Sequence, residues 1–273
     1  MDNFKILLKK NLVEMVRNKR VIVFGLVFIA LSLISALSAR YLPMIFNALL
    51  ESVEGVMGEQ ILMLDPTVAD SYVQYISNYG QIAVLLVGIM FAGTITKEKT
   101  RGTYSNLKMN KVKDKEIVFS HLVAQVILVS LSYFISVAMF VILNILLFRQ
   151  VMGIRGFVAL TYIYLLLLIT ICFAMLCSCF CKKSSKAVLF VILGYFALSI
   201  LEVLPRINKF NPLHLLTLSS NLMYYKDYSL NEHLISSLFT VGLCVCLVVL
   251  SLLLVKNRIN NKKVTNSDNT ERV

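Results

Sequence analysis

Residues 95–116, read ITKEKTRGTYSNLKMNKVKDKE, gather seven basic side chains, Lys97, Lys99, Arg101, Lys108, Lys111, Lys113 and Lys115, close to the acid Glu98. Ion pairing and contact with another protein in water are the chemistry such a set offers, because so many fixed charges have no place in hydrocarbon. The other reactive sets are weaker. Cys177, Cys179 and Cys181 form C-x-C-x-C, but on a helix Cys177 and Cys181 share a face while Cys179 points elsewhere. One metal would therefore require an unwound segment, and packing thiols are the simpler account. His121, His214 and His233 lie far apart in sequence and none neighbours a carboxylate pair at metal spacing. Glu202 is the one carboxylate inside a predicted span, near its outer end, where an interface position explains it more simply than an ion path. No G-x-x-x-x-G-K-[ST], H-E-x-x-H or G-x-S-x-G motif occurs. The expectation is a chain with no catalytic residues, no metal and no cofactor of its own, unable to hydrolyse ATP by itself.

Apolar residues make up 58% of the chain and charged residues 15%, far from the near-half and one-quarter of soluble domains. That is the composition of a multi-spanning membrane protein. The six cysteines fall mostly in apolar runs and suggest no disulfide framework. A net charge of +12 would suggest nucleic acid in a soluble protein. Here the basic residues flank apolar segments, so anionic lipid explains them and no nucleic-acid partner is expected.

Residues 1–20 read as an amphipathic helix lying at the membrane surface, with Phe4, Leu8, Leu12, Met15 and Val16 on one face and Lys5, Lys9, Lys10, Glu14 and Arg17 elsewhere. A solvated start of the first spanning helix is the plainer alternative. Residues 21–255 form the transmembrane domain. Its first span, 21–39, carries no charge and reaches about 28 Å, enough to cross the hydrocarbon. Residues 40–78 break the pattern with Pro43, Pro66 and the acids Glu51, Glu54, Glu59, Asp65 and Asp70, and are expected to face water. The second span is placed at 79–96, where Gly88 and Gly93 could allow close helix approach. Spans follow at 117–148, 157–180, 187–204 and 234–255, the first of these longer than one crossing needs. Residues 205–232, apolar but broken by proline, are either a re-entrant hairpin or a plain outer loop. Residues 256–273 are a basic, partly disordered tail.

Six spans put both ends on one side. Of the 27 basic residues, six precede Val21, seven lie in the loop at 95–116, three at Lys182, Lys183 and Lys186 and five from Lys256 onward, so 21 share that side. The positive-inside rule then makes both termini and the loop cytoplasmic. The fold class expected is an all-α integral membrane protein of six transmembrane helices, with an amphipathic N-terminal interfacial helix and, on one reading, a re-entrant hairpin before the last span.

Glu98-Lys99-Thr100-Arg101-Gly102-Thr103 resembles the E-x-x-x-G-T element that follows the second span in bacterial ABC-2 type permeases, the membrane subunits of ATP-binding-cassette exporters. Asn211-Pro212-Leu213 is similar to a proline motif ahead of that family's last span. The order of parts matches over most of the chain. The sequence departs where the family often carries a proline after the E-x-x-x-G-T element and a lysine opening the third span: Asn110 takes the first place and His121 lies near the second.

The resemblance implies a dimer with a second permease copy or a related permease, in the cell membrane, with two cytoplasmic ABC ATPase subunits below that hold the ATP and Mg2+. It implies that Glu98, Arg101, Gly102 and Thr103, with Phe4, Leu8 and Leu12 of the N-terminal helix, receive the ATPase motion; Asn211 and Pro212 lie in the outer segment that the residues leave open between a re-entrant hairpin and a plain loop. Glu98 is expected to make a charged contact that holds the loop or binds the ATPase; pairing with Arg101 on a solvated helix is the bland alternative. Gly102 would permit the bend. The function expected is export of an amphipathic or hydrophobic substrate, such as a peptide, drug or lipid-like compound, or self-protection against an antimicrobial peptide. An ion-gradient-driven secondary transporter would want midplane acids and broken inverted repeats, and a membrane enzyme would want a catalytic set.

Overall fold

The computed structural model describes residues 2–52, 66–204, 208–224 and 230–270. The acids Glu54, Glu59 and Asp65 and the basic residues Arg206 and Lys226, in the segments expected to face outward, lie outside it, as does Pro205.

The described residues are mostly helical, with no strand among them, in the order α1 (Asp2–Arg17), α2 (Arg20–Ser52), α3 (Val68–Asn78), a π-helical turn (Tyr79–Ala83), α4 (Val84–Phe91), α5 (Thr94–Thr100), α6 (Thr103–Met109), α7 (Asp114–Phe148), α8 (Ile154–Phe180), α9 (Ser184–Glu202), a 3-10 turn (Asn208–Phe210), α10 (His214–Met223) and α11 (Leu230–Thr270). Six stretches among them are long and apolar enough to cross a membrane: Arg20–Ile45, Val68–Thr100, Asp114–Phe148, Ile154–Phe180, Ser184–Glu202 and His233–Val255. The protein is an all-α, multi-pass membrane protein.

Two boundaries differ from the sequence expectation, both within residues 40–78. Pro43 does not end the first helix, which runs on to Ser52. Proline removes one main-chain donor, a loss that a long apolar helix tolerates where neighbours can compensate. The second span starts at Val68, inside the stretch expected to face water. Thr67 and Asp70 close a reciprocal capping box there. Tyr72, Tyr75, Ile76 and Tyr79 then recur at helical spacing and are all buried. Their phenol groups make them read as interfacial in a hydropathy sum, yet they pack inward as an aromatic stripe, Tyr75 stacking on Tyr79 with ring centroids 4.3 Å apart.

The π-helical turn follows from what this stripe bonds. Tyr79 donates to the Phe28 carbonyl at 3.1 Å and also bonds Ser136, while Ser32 and Ser136 reach the same carbonyl at 3.1 and 3.0 Å. Three hydroxyls converge on one carbonyl oxygen and share their hydrogens among themselves and with it, which ties α2, the turn and α7 together where neither water nor lipid can help. Gly80, inside the turn, lets Leu216 of α10 lie against the backbone, where any side chain would collide with its methyl groups.

Around this knot α2 packs along α7, α11 along α8, and α4 between α8 and α9, while α10 lies on α8 and α3. The least covered spans are α9 and α11. A second, smaller apolar cluster closes the basic end. It brings Leu7 of α1, Ile95, Tyr104, Ile117, Met175 and Val255 together. The start of the chain and the end of the last apolar helix are therefore at the same end of the bundle. Beyond Val255, α11 continues as helix to Thr270, through most of the stretch expected to be a partly disordered tail.

Candidate functional site

At the basic end a break at Ala92 and Gly93 separates α5 from α4. The Thr94 hydroxyl donates back to the Phe91 carbonyl, and the main-chain N–H groups of Ile95 and Thr96 donate to the hydroxyl of Ser178 at the end of α8, at 2.8 and 3.3 Å. The Thr96 hydroxyl returns a bond to the Ser178 carbonyl. Thus the start of α5, whose donors lack intrahelical partners, is satisfied by a neighbouring helix, and the docking turns Glu98 inward.

Glu98 is only 7% exposed. Its Oε1 accepts from Lys10 Nζ of α1 at 2.7 Å, and its Oε2 lies 3.0 Å from His121 Nε2 of α7. The next residue of α1, Asn11, donates through Nδ2 to Ser120 Oγ at 3.0 Å. Gln125 Nε2 reaches Thr94 Oγ1 at 3.2 Å. Three helices that are remote in sequence are thus fastened by one carboxylate and two flanking hydrogen bonds. Asn11 Oδ1, Gln125 Oε1 and His121 Nδ1 are buried around it without a protein partner, which marks a polar space. A cavity of about 290 Å³ opens beside them, lined by Glu98, Arg101, Thr103, Lys10, Arg20 and Lys97 among others.

After α5 the chain turns back at Gly102, whose φ of +75° and ψ of −9° are left-handed. A β-carbon is strained there by conformation alone, since no neighbour approaches. The turn starts α6, which folds onto the bundle through Tyr104. Its phenol donates to Asp114 Oδ1 at 2.5 Å, and Lys108 Nζ lies 3.0 Å from the same oxygen. Burial first, and then the Asp114 carboxylate, push the Tyr104 phenol far above its ordinary range, so it stays a donor. Lys99 and Lys108 stand 5.5 and 5.7 Å from the centre of its ring.

The structure thus places Glu98, Arg101 and Thr103 on one cavity wall and Gly102 at the bend between two helices. Glu98 pairs with Lys10 and His121, not with Arg101, which is exposed. Phe4 meets Phe119 of α7 with ring centroids 5.7 Å apart, and Leu8 and Leu12 are half-buried against the main core. The buried face of α1 is nonetheless rotated from the one expected. Leu7, Asn11 and Met15 are its buried line, whereas Val16 is 61% exposed. Asn11 turns inward because Ser120 supplies its partner.

Asn211 and Pro212 lie at the other end of α9, away from this cluster. The Asn211 side chain donates to the Leu198 carbonyl at 2.7 Å and accepts from Leu213 N–H at 3.1 Å, so it fixes the approach to α10. Nearby, Glu202 Oε1 holds His214 Nδ1 at 2.8 Å and Thr217 Oγ1 at 3.0 Å. Cys177, Cys179 and Cys181 are buried and outside any disulfide, Cys179 in the small cluster and the other two in the main core. Among the described residues no group of three His, Cys, Asp or Glu is placed to hold a metal ion.

Lys10, Asn11, Ser120 and His121 are the site residues that sequence reasoning missed. Lys10 reads as one more lysine of a surface helix. The available signal was His121, which stands near the place where the resemblance leads one to expect a lysine.

A family model described as ABC-2 family transporter protein matches residues 51–253. No curated protein matches the chain.

Proposed function

Since the chain belongs to the ABC-2 family of transporter proteins and is a permease subunit of an ABC transporter, we propose that the cluster around Glu98 is where a separate ATPase subunit moves its membrane helices. The single observation that carries this reading is the burial of Glu98 between Lys10 and His121. Because Glu98 is covered, its role is to fasten α1, α5 and α7 into one lever. The exposed surface of the turn, with Arg101, Met109 and Lys111, supplies the contact itself. A push on this turn is transmitted to α2, which follows α1 through the left-handed Lys19, and to α4, which precedes α5 across Gly93. Such rigid-body movement of packed helices is a familiar way of switching between two states.

On this reading the basic end faces the cytoplasm in the cell membrane, as the 21 basic residues on that side favour. ATP and Mg2+ bind on the partner, and the chain contributes no catalytic group. The sparsely covered faces of α9 and α11 are open to lipid and to a second permease, identical or related. The cargo is an amphipathic or hydrophobic compound moved out of the cell or out of the membrane, an antimicrobial peptide in a self-protecting cell being one instance. The short α10, seated beneath the outer end, is the helical arm of a re-entrant segment.

The test is Glu98→Gln in the assembled complex. We expect membrane insertion and ATPase binding to persist while substrate-stimulated ATP hydrolysis falls. Wild-type stimulation in that variant overturns the coupling role.

A further inference from the structure

Arg20, Lys97 and Arg101 converge on the cavity beside Glu98. Lys10, on the same wall, is held by the Glu98 carboxylate, which leaves Glu14 as the acid facing the other three. Arg20 interacts electrostatically with Glu14 and with the like charge of Arg101, and Lys97 interacts with the like charges of both arginines. Arg20 is partly buried, and it opens α2, whose first turn carries no acidic residue, so the positive end of a 33-residue helix adds to the local field. Three cations against the single Glu14 carboxylate leave an excess of positive charge around a polar hollow, which attracts a further anion.

The depth of this hollow narrows the choice of anion. Arg20 is the first residue of the first span, and Lys97 and Arg101 bracket Thr100, the last residue of the second. The cavity therefore sits where hydrocarbon gives way to headgroups. Guanidinium groups match phosphate oxygens two at a time, and basic pockets between spanning helices at this level suit anionic headgroups. We propose that the cavity binds the phosphate group of an anionic phospholipid, with Arg20, Lys97 and Arg101 as its cationic ligands and Asn18 on the wall as a further donor. A bound headgroup bridges the α1–α2 hinge at Lys19 to α5 and steadies the lever. Arg101 is shared with the ATPase contact proposed above, whereas Arg20 and Lys97 are not, so variants of those two test the lipid site apart from the coupling role.

Full-length protein in nanodiscs of mixed phosphatidylglycerol and phosphatidylcholine, released for native mass spectrometry, tests this. One phosphatidylglycerol per chain is expected to remain bound in preference to phosphatidylcholine. Arg20→Gln and Lys97→Gln should each lower its occupancy about tenfold, the scale of one lost charged contact, whereas Lys5→Gln on the exposed face of α1 removes the same charge without effect. Lys97 is exposed, so its variant reports even if Arg20→Gln folds poorly. Millimolar inorganic phosphate, added as a second arm, should not displace the lipid; displacement would transfer the site to free phosphate and overturn the lipid assignment. Equal occupancy in all variants, or an equal loss in Lys5→Gln, overturns the site.

Discussion

Lys10 and Glu98 stand 88 residues apart in the chain, yet the Lys10 Nζ lies 2.7 Å from Glu98 Oε1. Glu98 is covered while the Lys10 side chain is 36% exposed and His121 only 5% exposed. The two partners are therefore unequal.

That inequality predicts unequal costs. Lys10→Ala removes a half-exposed cation and should cost up to about 1 kcal/mol. His121→Ala leaves the buried carboxylate without its covered partner and should cost about 3 kcal/mol. Melting of the two single variants and of each paired with Glu98→Gln checks this. The costs should collapse in the pairs, because the coupled terms are shared. Additive losses would mean that the contacts act independently.

Gly102 should tolerate asparagine better than alanine. A β-carbon at φ +75° costs roughly 1–2 kcal/mol, and asparagine is the side chain that visits this region most readily. Nothing crowds the position, so the penalty is one of backbone conformation. Substrate-stimulated ATP hydrolysis should rank wild type, Gly102→Asn and Gly102→Ala in descending order. Equal stimulation in all three would dismiss the bend.

The packing of Leu216 on Gly80 should show reciprocal compensation. Gly80→Ala drives a methyl group into the Leu216 side chain, an overpacking that costs about 1–3 kcal/mol. Adding Leu216→Ala frees that space and should recover part of the loss. Thermal unfolding of the single and double variants measures it, and a double variant worse than the sum contradicts this packing.

Asp114 holds both Tyr104 and Lys108. Asp114→Asn weakens a charged hydrogen bond and an ion pair that is partly exposed, so the overall cost should be small, about 1 kcal/mol. The effect should be local. Hydrogen exchange in α6 should rise several-fold while α7 beyond Gln125 stays unchanged, and unchanged exchange in α6 would show that the apolar cluster alone holds the turn.

The sequence alone determined the class of this protein. Six long apolar runs, the sorting of basic residues to one side of them and the E-x-x-x-G-T element at Glu98 to Thr103 are properties of neighbouring residues, and hydropathy and helical spacing read such properties directly. Gly102 as a bend was legible for the same reason, since a glycine between two charged helical stretches is local information. Tertiary structure decided which residues meet. Tyr75 and Tyr79 could be assigned to an interior stripe only once the Phe28 carbonyl and Ser136 were there to satisfy their hydroxyl groups. Asn11 could face inward only opposite Ser120. Glu98 shows the limit most plainly. Its spacing marked it as a charge that matters, but whether it would face water beside Arg101 or be buried against Lys10 and His121 depended on where α5, docked on Ser178, aims its side chain. A buried charge is decided by partners from other helices, and no local pattern contains them.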